Sequence, residues 1–184
     1  MLTIQQIINE VDTLVPNIFD AQKKLTWVNE INKEFFEIVK IPVVHSFTVS
    51  PGLDNTLPSD VRSRNIDRVQ VADSFYLSLQ YGRVNPGHNH WFFDDITKTI
   101  TLNPPPSLIK SAIVIYHKIS TKTFLIASIG TDSPEAPEEY HWIYVLGLAE
   151  RVAKAMNDVS LANNFGDDYI SQLSIAQQNY GKEG

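Results

Sequence analysis

The chain has no cysteine, which excludes disulfide scaffolds, zinc–cysteine sites, iron–sulfur clusters and thiol catalysis. That absence fits a cytosolic origin. No apolar run approaches the roughly 20 residues a membrane span needs, so no transmembrane helix is expected. The opening MLTIQQIINEVD is acidic and periodic, without the basic and apolar regions of a signal peptide. Basic residues are in the minority, with 15 Lys and Arg against 21 Asp and Glu, a net charge of -6. A protein that grips nucleic acid by its phosphates needs the opposite balance. There is no G-x-S-x-G, no G-x-G-x-x-G and no P-loop lysine, so nucleophile-elbow, dinucleotide and P-loop chemistry lack support. Internal repeats and low-complexity tracts are also missing.

What is present suits an ordered globular chain of 184 residues with 43% apolar and 20% charged side chains. Thr3 and Gln6 have capping-box spacing, and Ile4, Ile7, Ile8 and Val11 follow at helical intervals. A second helix is expected from Asp20, with a stripe of Ala21, Leu25, Val28, Ile31 (or Asn32), Phe35 and Val39, ending before Pro42. Strands are expected at 43–49, 66–71, 75–79 and 112–118, with a hairpin of 91–93 and 99–102 around Asp94-Asp95. Residues 81–90 read as a loop, and Thr123 to Ile129 fit a short strand or a helical turn. Glu138 and Glu139 open a third helix, and Asn157-Asp158 separates it from a fourth with the stripe Leu161, Phe165, Tyr169, Leu173, Ala176 and Tyr180. Residues after Gly181 read as a frayed tail.

The expected fold is α+β. A helical bundle of N-terminal and C-terminal helical hairpins carries an inserted antiparallel β subdomain. The chain is expected to be a single domain over 1–184. Its parts are a helical hairpin (1–41), the β subdomain (43–118), a linker (119–138) and C-terminal helices (139–184).

Candidate chemistry is sparse. His88-Asn89-His90, with Asp94 and Asp95 nearby, is the best metal candidate, because imidazoles two apart can share an ion. A solvated loop tip is the simpler reading. His45 and His117 fall in expected strands. The pairs Asp94-Asp95, Glu138-Glu139 and Asp167-Asp168 are adjacent in sequence and diverge on a strand or helix, so none makes a carboxylate dyad. Arg62, Arg64 and Arg68 suit ion pairs with Asp60 and Asp67 better than a phosphate site. No catalytic, cofactor or metal residue is assigned. Trp27, Trp91, Trp142 and Phe35-Phe36 fill either cores or interfaces.

The order of segments resembles tailed-bacteriophage head-to-tail adaptors, also called connector or head-completion proteins. The resemblance rests on a W-x-N-E core, Trp27-Val28-Asn29-Glu30, in the first helical pair. It rests also on the Leu57-Pro58 step, on Thr99-Ile100-Thr101-Leu102-Asn103-Pro104 before AIVIYHK, and on Pro137-Glu138-Glu139-Tyr140-His141 opening the third helix. It implies a non-enzymatic virion protein, twelve-fold in its ring, that sits between portal and tail at the neck. Such a ring extends the DNA channel, passes genomic DNA without sequence-specific binding, docks the tail and needs no cofactor and no membrane. Assembly is expected in the host cytoplasm. The portal-binding segment implied is the C-terminal stripe Leu161, Phe165, Tyr169, Leu173 and Tyr180. The alternatives are another neck or tail-tube component, or a small metal-binding enzyme using the His88–His90 loop.

Overall fold

Local hydrogen bonding sets the helix starts. Helix α1 (Ile4–Leu14) follows Thr3, whose Oγ1 accepts the Gln6 N–H at 3.2 Å while Gln6 Oε1 accepts the Thr3 N–H at 2.9 Å. Helix α2 (Ala21–Ile38) follows Asp20, whose carboxylate accepts the Lys23 N–H at 2.7 Å. Helices α3 (His141–Ala155) and α4 (Val159–Tyr180) meet at a tight turn. There Asn157 adopts φ 60° and Asp158 caps Leu161 at 3.0 Å. These boundaries come from a computed structural model that describes residues 1–52, 55–79 and 88–181. The loop expected at 81–90 and the frayed tail fall largely outside the described residues.

The chain divides into two compact units, residues 1–40 with 120–184, and residues 41–119. In the first, α3 lies at the centre and packs on α1, α2 and α4. Its residues from Ile143 to Ala149 are all buried, so it offers an apolar surface on several sides. Residues 120–137 have little regular structure apart from a 3₁₀ turn at Ile126–Ser128. They are fastened partly to α1, where the free N–H groups of Ile4 and Gln5 donate to Asp132 O and Ile129 O at 2.8 Å each.

The second unit is a seven-stranded sheet. Its strands are β1 (Pro42–Val49), β2 (Asn55–Thr56), β3 (Ile66–Val71) and β4 (Ser74–Ser78), then β5 (His90–Asp94), β6 (Thr99–Asn103) and β7 (Lys110–His117). Their order is β1-β7-β3-β4-β5-β6-β2. The end strands β1 and β2 approach each other without pairing, so the sheet is nearly closed and barrel-like. Its inward side chains, among them Val49, Val69, Val71, Trp91, Phe93, Ile100 and Val114, form a core of their own.

The expectation of a helical bundle with an inserted antiparallel β subdomain is therefore corrected. Among the described residues the fold is mixed α/β, with four helices and a seven-stranded, nearly closed barrel-like sheet. Three physical reasons account for the difference. Strands β4 and β5 run parallel, pairing Leu77 with His90 and Ser78 with Trp91, so the sheet is not purely antiparallel. The alternating apolar residues of 43–118 curl the sheet around its own core. And α1, α2 and α4 each converge on α3 rather than forming two self-contained hairpins.

Candidate functional site

The residues that could carry chemistry are dispersed. His90 is buried on β5 and His88 is exposed before it, so the two imidazoles have different environments. Asp94 accepts the Ile96 N–H at 2.7 Å and the Thr97 N–H at 3.3 Å, closing the β5–β6 turn, and these bonds lower its pKa. Asp95 turns to Ser63, accepting its N–H at 3.0 Å and its hydroxyl at 2.7 Å. The Asp94-Asp95 pair thus serves two separate turns. His117 Nδ1 lies 2.6 Å from Asp67, and the His45 ring stacks on Phe47. The arginines do not converge: Arg62 donates to Ser59 O and Val61 O, whereas Arg68 lies over the Phe75 ring at 5.4 Å. Asp167 and Asp168 are exposed on α4, and Glu138 meets the N-terminal amine. Among the described residues no group of three or more His, Cys, Asp or Glu could hold a metal ion.

The densest polar arrangement belongs to the first unit and fixes residues 120–137. Asn29 Nδ2 donates to Phe124 O at 3.1 Å, and Phe124 N–H donates to Asn29 Oδ1 at 2.7 Å. One side-chain amide thus satisfies both backbone groups of Phe124. One turn on, Asn32 is fully buried. Its Nδ2 donates to Ser120 Oγ and Glu135 Oε2 at 2.7 Å each, and its Oδ1 accepts the Tyr144 hydroxyl at 2.6 Å. Glu135 accepts further bonds from Ser120 Oγ (3.0 Å), Thr121 Oγ1 (2.9 Å), Thr121 N–H (3.2 Å) and Lys122 N–H (3.1 Å). Burial raises the Glu135 pKa, but the Asn32 amide and the backbone donors outweigh it and hold it below 4.5. The W-x-N-E core is thereby explained in part. Trp27 packs edge-on to Phe19 with ring centroids 5.5 Å apart, Asn29 holds Phe124, and Glu30 lies 4.0 Å from Arg151. The role of Asn32 was missed from sequence. Its signal was a carboxamide at a position where the α2 stripe calls for an apolar residue.

His141 forms a second fastening. Its Nδ1 accepts the Leu2 N–H at 3.1 Å and its Nε2 faces Ala136 O at 3.0 Å, which requires the neutral Nε2–H tautomer. Burial holds its pKa below 6.5. Above 6.5 the ring is neutral in both folded and unfolded chains and stability does not depend on it. As pH falls below 6.5 the unfolded ring binds a proton that the folded ring refuses, so stability drops until the folded pKa is passed. Urea midpoints should therefore fall between about pH 7 and pH 5.5, and His141→Gln should flatten that fall. An unchanged slope in the variant would remove His141 as its source.

The C-terminal stripe is used within the chain. Tyr169 and Leu173 are buried, while Leu161, Phe165 and Tyr180 are half-buried. Gly147 on α3 lies beneath the Tyr169 ring, where an added Cβ would come within 2.8 Å of Cε2. The glycine is thus needed for the α3–α4 approach. Arg151 lies over the same ring at 5.7 Å and pairs with Glu34 at 2.6 Å. Tyr180 meets Tyr140 at 6.1 Å between centroids, and Asn179 donates to the Tyr140 hydroxyl at 3.1 Å. Away from the α3 contact, α4 leaves Ile170 65% and Ile175 46% exposed, on different sides of the helix. Of the three tryptophans, Trp91 is in the barrel core, Trp27 is half-buried and Trp142 is exposed.

Charge is divided unequally between the units. The helical unit holds 8 basic and 15 acidic residues, the barrel unit 7 and 6. No helix among the described residues is long and apolar enough to cross a membrane. No curated protein matches the chain. A model of the SU10 adaptor protein family matches residues 2–182, nearly its full length and both compact units. The chain belongs to the SU10 adaptor protein family, a family of phage structural adaptors.

Proposed function

We propose that the chain is the head-to-tail adaptor of a tailed phage, assembling as a twelve-fold ring between portal and tail. The observation that carries this reading is the family match over residues 2–182. The ring extends the DNA channel and docks the tail, with the virion neck as its final place and the host cytoplasm as its site of assembly. Charge supports it, because an acidic helical unit does not hold DNA phosphates and so does not brake a passing genome. A closed ring needs two different lateral surfaces on each subunit. A helical unit and a barrel unit of unlike composition can supply both.

The portal contact belongs to α4. Tyr169 and Leu173 hold the helix on α3, so the exposed Ile170 and Ile175, with the half-buried Leu161, Phe165 and Tyr180, remain for the portal. Mixing the purified chain with portal rings tests this by electron microscopy and limited proteolysis. An added ring of density on one portal face, with cleavage after residue 158 suppressed, is expected. Replacing Ile170 and Ile175 by aspartate should weaken binding about tenfold or more without lowering Tm. Equal cleavage with and without portal would contradict the α4 assignment.

A further inference from the structure

One imidazole clips the start of the chain to the start of α3. His141 Nδ1 accepts the Leu2 N–H at 3.1 Å, and its Nε2–H donates to Ala136 O at 3.0 Å. The ring is 3% exposed. One nitrogen is committed as acceptor and the other as donor, and only the neutral imidazole fills both roles. A proton on Nδ1 would set one N–H against another, that of Leu2. Turning the ring over gives no relief, because an imidazolium carries a donor at each nitrogen. The contact must open for that charge to reach water.

The piece that can move is short and has a defined hinge. Thr3 and Gln6 close their capping box on each other, and the N–H groups of Ile4 and Gln5 donate to Asp132 O and Ile129 O. None of these bonds involves His141. Met1 and Leu2 lie before them, Leu2 fastened by its N–H and Met1 by the pairing of its amine with Glu138. The charged groups that face the ring are that amine, which repels an imidazolium, and Glu139, which attracts one. Glu138 is engaged by the amine, and the first turn of α1 carries no charge. On the 120–137 stretch Asp132 is paired with Lys122, and Glu135 is bonded to Asn32. Of α4, packed on α3, the charged residues are Asp167 and Asp168, both exposed. Leu2 is also one wall of a surface hollow that it shares with Gln6, Asn9 and Trp142, the residue after His141.

We infer that Met1–Leu2 is a strap hinged at Thr3, held shut by neutral His141 and released when that ring is protonated, with the helical unit still folded. Release removes the Leu2 wall and opens the hollow beside Trp142. The sign follows from which state takes the proton. The closed strap opposes protonation and burial acts in the same direction, so the ring titrates below 6.5 and release begins below that pH. Each further pH unit moves the strap about tenfold toward its open form, until the closed form is protonated too. The inference does not depend on the adaptor reading.

The test is two-dimensional 1H–15N NMR of the full chain, titrated from about pH 7.5 to pH 5. In the wild type the Leu2 amide and the Trp142 indole N–H should shift together, in a one-proton transition with its midpoint below 6.5. The Phe124 amide, held by Asn29 at 2.7 Å, should stay in place and report that the helical unit remains folded. His141→Gln keeps an acceptor and a donor but cannot titrate, and it should abolish the transition. His141→Phe offers Leu2 no acceptor and should show the open-strap signals already at pH 7.5. If circular dichroism finds that variant unfolded, His141→Gln carries the test alone. A Leu2 amide that does not move in the wild type, a transition that survives in His141→Gln, or a Phe124 amide lost at the same midpoint would each overturn the inference.

Discussion

Asn32→Leu should lower the unfolding free energy by about 3–5 kcal/mol, measured by urea denaturation at neutral pH. The leucine fills a similar volume on an apolar stripe, so helix propensity and packing change little. What changes is polar satisfaction. The Tyr144 hydroxyl, pushed up in pKa by burial and by the Glu135 charge, loses its acceptor at 2.6 Å. The Glu135 carboxylate loses a donor at 2.7 Å. A stranded buried hydroxyl costs about 1–3 kcal/mol, and a lost bond to a charged group a further 1.5–3. The loss has an acid signature. Because the Glu135 pKa is held below 4.5 in the folded chain, its contribution is complete above 4.5 and disappears as pH falls through the folded value. The variant should lose part of that dependence. A cost under about 1 kcal/mol would mean that the network does not hold residues 120–137 in place.

Tyr169→Ala should cost a similar amount, about 3–5 kcal/mol, by removing a buried ring from the α3–α4 contact. Packing dominates here. The Arg151 contact with the ring is worth about 0.5–1 kcal/mol, and the partly exposed Arg151–Glu34 pair about as much. Gly147 cannot compensate, because it supplies no side chain to fill the space. Hydrogen exchange should locate the damage in α4, with protection of 159–180 falling more than that of α1 or α2. Uniform loss across the helical unit would show that α4 and the other helices unfold as one.

Both predictions rest on residues whose partners are far away in sequence, and that is also where reading the sequence failed. Local chemistry was legible. The Thr3–Gln6 box, the Asp20 cap and the Asp94 turn each depend on atoms within a few residues. The expected strands were found because β-branched and aromatic runs fit a pleated surface whatever their partner. Strand β2 has no such run. It exists because Asn55 and Thr56 meet β6. The parallel β4–β5 pairing has no local signature either, and without it the sheet could not be foreseen as nearly closed. Residues 119–138 resisted reading for the same reason. Their conformation is imposed by Asn29, Asn32 and the α1 N–H groups rather than by periodicity.

The candidate portal stripe shows what periodicity leaves open. A periodic apolar face predicts burial, and the structure buries much of it against α3. Periodicity identifies what a helix packs on and says nothing about whether the partner is internal. The exposed Ile170 and Ile175 break the pattern, and on this account they are the residues to test for portal contact.

Electron microscopy of particles made by the source phage without this gene tests the adaptor assignment most directly. The account predicts heads that have lost their DNA and carry no tails, beside free tails, with the wild-type gene in trans restoring joined virions. Normal, tailed, DNA-filled particles from the deletion would contradict it.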